Sequence, residues 1–399
     1  MTDDDAGRRS ALAGDLVLLH GDLHNHTMLS DGAGDPGEAF ARLRAAGLDV
    51  AALTDHSSIP RHHLDRLDPA DYPDAEALRL ARLAPDSLDG AGWAVTGALA
   101  DEADAPGAFT AIRGFEWTEP WLGHANVWFS EGYLPVHTPG RIGGLHRWLL
   151  DHEADALLGY NHPGREPGRF GGFALEPALV PRMVGVEVFN RYDDYLLDSG
   201  PRHGRAPALV ECLRAGWRPG LLGVSDEHGR DYGLAGKGRT GLWVTEHSRA
   251  GVRECLLARR TFATREVGLR LFASLAGVPM GGALPDPVGP LRMRVDLGGS
   301  GLPEGRRVLL QTLGDLGGPE PTVLSVLDAD VSEVVELDLD HAGSPWVLLR
   351  VADPARPNPQ VDVTGAGVAG PVAGRALAYA SPWYLDHPSE GRARASLDG

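Results

Sequence analysis

The chain has 399 residues, 43% of them hydrophobic and 23% charged, which leaves room for a catalytic domain of roughly 250 residues and a smaller second one. A formal net charge of −18, from 37 Lys+Arg against 55 Asp+Glu, argues against an extended nucleic-acid groove, because phosphate backbones require clustered cations. It leaves open a small anionic ligand, since a local site can oppose the global sign. No apolar run reaches membrane-spanning length, so no membrane partner is expected. The start MTDDDAGRRSALAGDLVLL places acids before the arginines and does not read as a signal peptide, and the two cysteines, Cys212 and Cys255, read as core-facing thiols on helices. The expected location is cytoplasmic, and composition leaves the oligomeric state open.

Residues 1–15 read as a flexible N-terminus. DLVLLHGDLH then predicts a strand, PGEAFARLRAAG a helix with proline in its first turn and glycine at its end, and LDVAALTDHS the next strand. Residues 64–106, rich in Asp, Ala and Pro and partly helical, read as an insertion and a candidate lid. Further strands are predicted at FTAIRGFEWTE, ANVWFSE, ALLGYNHP, MVGVEVFN, PGLLGVSDEHG and GLWVTE, with helices at LHRWLLDHEADA and RAPALVECLRAG. This βα alternation, with polar groups just past successive strand ends, favours an α/β barrel over 16–262 rather than an open doubly wound sheet, whose site would sit at one crevice. From 263 to 399 the pattern changes to short segments of alternating apolar and polar residues between Gly, Pro and Asp turns, which predicts a small antiparallel β-sandwich. GRALAYASPWYL, 374–385, reads as its final strand or as a return to the barrel.

The chemistry is concentrated at the strand ends. In LHGDLHNHTMLSDG, His24 and His26 are two apart on a strand and therefore face the same way, with Asp31 close behind. A metal site, a packed histidine pair and an inconsequential surface loop all fit that stretch alone. Other potential ligands follow at rim positions: Asp55 and His56 in LTDHS, Glu116 in GFEWT, His124 in GHANVWF, His162 in NHPG, Asp226 and His228 in GVSDEH. Their joint placement favours a metal centre, because buried charged groups persist only when paired or metal-bound.

DLHNHTMLSDG followed by TDH, FEWT, GH, NHPG and SDEH resembles, in order, the motifs of the polymerase and histidinol phosphatase (PHP) superfamily of metal-dependent hydrolases, over roughly residues 16–260. The segments CLLARRTFATREVGLRL and GVPMGG, with the β-rich region that follows, look like the CehA/McbA-type branch. The resemblance implies a distorted (βα)7 TIM-like barrel and nine metal ligands: His24, His26, Asp31, His56, Glu116, His124, His162, Asp226 and His228. It implies that His24 and His26 hold one ion with Glu116 and Asp226, that Glu116 bridges to a second held by His124 and His162, and that Asp31, His56 and His228 take a third. Two or three divalent ions are expected, and imidazole with carboxylate suits Mn, Zn or Fe.

The leading expectation is a metal-dependent phosphoesterase acting on a small organic phosphate mono- or diester, with Asp226, His228 and His56 as candidate proton handlers. Arg165, Arg169, Arg191, Lys237 and Arg239 are candidate phosphate contacts, although any single arginine reads more readily as a solvated loop residue. Trp121, and less so Trp117, is a candidate pocket wall or else core packing. A carboxylic ester or carbamate hydrolase is the alternative. It too would be metal-borne, since no GxSxG nucleophile elbow is present. A non-catalytic metal-binding interaction protein is the third reading.

Overall fold

The computed structural model describes residues 7–57, 87–135, 141–196, 205–298, 301–302, 305–331, 334–357 and 373–386, with isolated positions 69, 74–75, 78–79 and 82. It is a mixed α/β structure built on one large sheet with few helices. Strand β1 (Val17–Asp22) leads to helix α1 (Pro36–Ala45), then β2 (Val50–Leu53) and the two-residue β3 (His56–Ser57). The α1 end is set locally: the Asp35 side chain accepts from Gly37 N, Pro36 occupies the first turn, and Arg42 and Arg44 complement the C-terminal carbonyls. Helix α2 (Gly90–Ala103) precedes β4 (Thr110–Glu119) and β5 (Gly123–Trp128). It is the described part of the expected insertion, most of whose remainder lies outside the described residues. Helix α3 (Arg141–His152), β6 (Leu157–Tyr160), β7 (Met183–Asn190), β8 (Asp193–Asp194), α4 (Ala208–Arg214), β9 (Gly220–Val224), β10 (Arg239–Val244), α5 (Arg249–Leu257) and β11 (Thr261–Thr264) follow.

The strands lie side by side in the order β10, β1, β2, β4, β5, β6, β7, β9. The pairs β1/β2, β2/β4, β6/β7 and β7/β9 are parallel, as crossover connections require. The pairs β10/β1, β4/β5 and β5/β6 are antiparallel, which departs from the uniform βα repeat expected. For β5 the cause is local: only Pro120–Leu122 separate β4 from β5, a connection too short for anything but a hairpin. Among the described residues, β2, β5, β6, β7, β9 and β10 are buried along their whole length, as strands covered on both faces must be.

At the other end of this order β9 comes back against β10 and β11 through hydroxyls. Thr240 Oγ1 donates to Gly223 O at 2.8 Å and accepts from Gly223 N at 3.1 Å, while Thr261 Oγ1 on β11 donates to Leu221 O at 3.2 Å. A Cβ on Gly223 would stand 2.4 Å from Arg239 O, so only glycine permits this approach. Beyond the strand ends, His26 N donates to Glu227 O at 2.9 Å, and a parallel bridge joins Asn25 to Glu227.

The C-terminal strands form two layers. One is β12 (Phe272–Leu275), β13 (Val278–Pro279), β15 (Leu291–Asp296) and β18 (Val334–Leu339). The other holds β14 (Ala283–Pro285), β16 (Arg307–Gly314), β17 (Thr322–Asp330), β19 (Trp346–Asp353), β20 (Arg375–Ala380) and β21 (Trp383–Asp386). Phe272, Met293, Val295 and Leu339 of the first share a core with Leu310, Val347, Leu349 and Val351 of the second. The second layer is continuous with the large sheet, because β20 pairs with both β11 and β19. Residues 7–15, read from composition as a tail, are tied down: Arg8 Nη1 donates to Asp49 Oδ2 at 2.7 Å and Ser10 Oγ to Asp296 Oδ2 at 2.5 Å. Cys212 and Cys255 are buried and unpaired, and no described helix is long and apolar enough to cross a membrane.

Two outcomes follow. Gly223→Ala should cost about 1–3 kcal/mol, the usual penalty of overpacking, read as a lower urea midpoint. Burial holds the imidazoles of His20 and His146 down at about 4 against an ordinary 6.5. The unfolded chain therefore binds protons that the folded one refuses, and stability present above pH 6.5 should be lost as pH falls towards 4. His20→Gln should flatten that slope in urea titrations; an unchanged slope would remove His20 as a cause.

Candidate metal centre

The site is assembled where β1, β3, β4, β5, β6, β7 and β9 end or run out. Past β1 the chain stays extended because Asn25 clamps it, its Nδ2 donating to Asp22 O at 3.3 Å and to Ala52 O at 3.2 Å. His24 and His26, on either side, converge with their Nε2 atoms 3.0 Å apart. The following loop folds back through Asp55, whose carboxylate accepts from Thr27 N, Thr27 Oγ1 and Ser30 Oγ at 2.7, 2.9 and 2.7 Å. Asp55 is thus a loop anchor, and Asp31 is the residue it helps to present. His56 on β3 lies opposite Glu116 on β4, and Thr118 opposite His124 on β5. His162, Arg191 and Asp226 follow β6, β7 and β9 with φ of 25°, 51° and 47°, a left-handed backbone that non-glycine residues hold at a cost and that recurs at functional sites.

Glu116 is the hub. Its carboxylate stands 3.3 Å from His24 Nε2, 3.5 Å from His26 Nε2, 2.6 Å from His56 Nδ1, 3.2 Å from His124 Nδ1 and 3.5 Å from His162 Nε2, at 1% exposure. Asp226 Oδ1 lies 3.5 Å from His24 Nε2, 3.2 Å from His26 Nε2 and 3.3 Å from His228 Nδ1. Asp31 Oδ1 is 3.4 Å from both His56 Nε2 and His228 Nε2. All nine residues expected as ligands are therefore in one cluster, and the groups with convergent ligand atoms include His26–Asp31–His56–His228, His24–His26–Glu116 and His56–Glu116–His124.

These spacings fit ions better than hydrogen bonds. Charge-assisted N–H···O bonds are about 2.7–2.9 Å long. Two ligands on one tetrahedral ion with bonds of about 2.0–2.2 Å stand roughly 3.3–3.6 Å apart, which is where most of these pairs lie. Buried His26 Nδ1, Glu116 Oε2 and both ring nitrogens of His162 have no hydrogen-bond partner. Such orphans in a packed interior call for a further partner.

The electrostatics favour the ionised, ligand form of the two carboxylates. Burial opposes the charge of Glu116, but the imidazoles of His24, His56 and His124 outweigh it and hold the carboxyl well below its ordinary range. Asp226 is held down in the same way by His24 and His26. His24, against burial, is raised by Glu187, Glu116 and Asp226, while burial and the neighbouring His56 and His228 lower His26.

Two carboxylates escape sequence reasoning. Glu187 on β7 accepts from His24 Nδ1 at 2.7 Å and from His162 N and Asn190 Nδ2 at 2.8 Å each, which turns His24 Nε2 inward. Glu166 groups with His124 and His162. Glu187 had a signal in MVGVEVFN, where it is the lone charge in an otherwise apolar strand; Glu166 is four residues after His162 in a loop and had none of its own.

Of the expected substrate contacts, Arg165 and Arg191 reach the cluster and Arg169, Arg239 and Lys237 bond elsewhere. Arg165 Nη1 is 4.0 Å from Asp226 Oδ2 and Arg191 Nε 3.3 Å, and Arg191 Nη2 lies 2.8 Å from His228 Nδ1. Both side chains are roughly two-fifths exposed. Arg169 is buried against Ala206 O and Glu211, Arg239 donates to Gly233 O, and Lys237 pairs with Glu227. Trp117 is core, and Trp121 packs partly buried against that same core while its carbonyl accepts from Gly168 N.

No family model and no curated protein matches the chain. Solved structures do. A two-domain protein of Bacteroides vulgatus containing a predicted PHP-like metal-dependent phosphoesterase is 17% identical over 92% of this chain and 96% of its own, with a TM-score of 0.48. An amidohydrolase of Chromobacterium violaceum with bound sulfate and no metal is 16% identical over 54% and 90%, at 0.29. A proposed metal-dependent phosphoesterase of Bifidobacterium adolescentis is 14% identical over 59% and 95%, at 0.30. The structural neighbours thus include PHP-like phosphoesterases.

Glu187→Gln should weaken divalent-ion binding about 10–100-fold, since it removes the carboxylate that orients His24 and leaves every inward nitrogen in place. Competition against a chelating dye measures this; unchanged affinity would assign Glu187 to the core alone.

Proposed function

We propose that the chain is a metal-dependent phosphoesterase that hydrolyses a small organic phosphate. The observation that carries this reading is the pairing of the nine-residue imidazole–carboxylate cluster with two arginines, Arg165 and Arg191, at its partly exposed edge beside Asp226. The ligand set suits Zn, Mn or Fe rather than Mg or Ca, which prefer oxygen alone. Bound divalent ions would supply a hydroxide from water at neutral pH and polarise a phosphoryl oxygen.

The protein's own groups then have distinct tasks. His24, His26, Glu116 and Asp226 hold the inner position, and Glu116 also faces His124 and His162. Asp31, His56 and His228 converge at the third position. Arg165 and Arg191 orient the phosphate, because a guanidinium fork matches two of its oxygens. When the third position holds no ion, His228 is the best placed of the candidate proton handlers, being 27% exposed, whereas Asp226 and His56 are buried among other ligands. We assign catalysis to residues 16–262, as a distorted (βα)7 barrel.

The test is p-nitrophenolate release by metal-reconstituted protein from p-nitrophenyl phosphate, bis(p-nitrophenyl) phosphate and p-nitrophenyl acetate. Chelator-sensitive turnover of a phosphate compound is expected, and Arg191→Ala should lower its kcat/KM on the order of 10–100-fold, the worth of hydrogen bonds to a charged group. Turnover of the acetate alone would overturn the phosphoesterase reading in favour of an ester or carbamate hydrolase.

A further inference from the structure

His124 and His162 stand between two carboxylates and face each with a different nitrogen. Towards Glu116 they present His124 Nδ1 at 3.2 Å and His162 Nε2 at 3.5 Å. Towards Glu166 they present His124 Nε2 at 3.9 Å and His162 Nδ1 at 3.5 Å. We propose that Glu166, His124 and His162 form an outer divalent-cation site, separate from the inner positions around Glu116. This rests on the metal-binding reading above and extends it by a ligand outside the nine.

The argument is one of distance and satisfaction. Glu166 is 7% exposed, in an interior where a carboxylate must be paired. Its Oε1 accepts from Arg165 Nε at 2.8 Å, whereas Oε2 has no hydrogen-bond partner, and neither has His162 Nδ1, the nitrogen it faces. A carboxylate that merely orients a histidine looks different here: Glu187 lies 2.7 Å from His24 Nδ1, in hydrogen-bond contact. Glu166 stands off from His162 by 3.5 Å, too far for a good hydrogen bond and close to the separation of two ligands on one tetrahedral ion, roughly 3.3–3.6 Å. Arg165 fixes Oε1, the oxygen nearest His124 Nε2 at 3.9 Å, and so leaves Oε2 aimed at His162 Nδ1. The three side chains bring their ligand atoms within 4.8 Å of one another, and all three residues are buried. The two nitrogens of each ring thus give ions two places to sit, and filling both requires each ring to give up its remaining N–H proton and bridge as an imidazolate.

The experiment is anomalous diffraction at the cobalt edge on crystals of the full chain saturated with Co²⁺. A peak about 2.0–2.2 Å from Glu166 Oε2 and His162 Nδ1 is expected. Its absence at saturation, with ions present at Glu116, would overturn the proposal. In parallel, Glu166→Gln should lose one equivalent of bound cobalt per chain after gel filtration. Full content in that variant, whether at unchanged affinity or at the 10–100-fold weaker affinity typical of a lost orienting carboxylate, would reduce Glu166 to a positioning residue and overturn the site. If the variant does not fold, the wild-type map decides alone. Neither readout involves turnover: a protein with cobalt at Glu166 and no phosphatase activity would refute the proposed function and leave this site standing.

Discussion

The structure depends on how a carboxylate is kept charged at the centre of the protein. Glu116 is 1% exposed, and an ionised carboxylate in such a place is tolerated only if opposite charge and hydrogen bonds surround it. It is met by imidazoles from four directions and by Asn161 Nδ2, which donates to Oε1 at 2.7 Å. Those imidazoles come from the ends of different strands, so the order of strands around Glu116 and the retention of its charge are one requirement. Placing His124 there uses the β4–β5 hairpin, since antiparallel pairing sets residue 124 opposite residue 118 and within reach of 116. The departure from a uniform βα repeat is therefore part of how the cluster is built.

The same requirement accounts for where the backbone is strained and where it is tight. His162, Arg191 and Asp226 leave their strands through left-handed conformations and so return towards the cluster; each such residue typically costs 1–3 kcal/mol. The stabilisation that offsets this lies below the rim, in strands buried on both faces and in the close seam at Gly223, where Thr240 supplies hydrogen bonds that a regular ladder would otherwise provide. Rigid packing beneath and strain above are the usual division in a site whose side chains must be held to a fraction of an ångström.

Most of the strands were legible in the sequence, because alternation and turn residues report on burial directly; of the nine residues that gather in the cluster, His24-x-His26 declared a shared face, and the resemblance supplied the rest as a set. Pairing direction was less legible, because FTAIRGFEWTE and ANVWFSE look the same in a parallel or an antiparallel neighbour; only the brevity of Pro120–Leu122 separates the cases. The continuity of β20 with β11 was equally hidden, since nothing local in RALAYA specifies its partner. Loop arginines carry no orientation in a sequence. Arg165 and Arg169 are four residues apart in NHPGREPGR, yet one reaches the cluster and the other is buried against Ala206 O and Glu211. Glu166 was obscure on the same ground: a charged loop residue reads as solvated until the tertiary fold buries it.

On the proposed function, charge balance reconciles the acidic chain with an anionic substrate. On the reading proposed, the nine ligands include three carboxylates, Asp31, Glu116 and Asp226, which against three divalent ions leave three positive charges. Glu166 and Glu187, buried beside the imidazoles, remove two of them. Arg165 and Arg191 restore two, and they do so at the partly exposed edge where a substrate enters. The carboxylates thus lower the cost of concentrating cations in the interior, and the arginines return the positive field to the mouth. On the proposed function, a phosphate oxygen arriving there would meet guanidinium groups before ions. The overall charge of −18 does not oppose this, because screening over about 8–10 Å confines the surface acids to their own neighbourhoods while the buried site keeps its local sign.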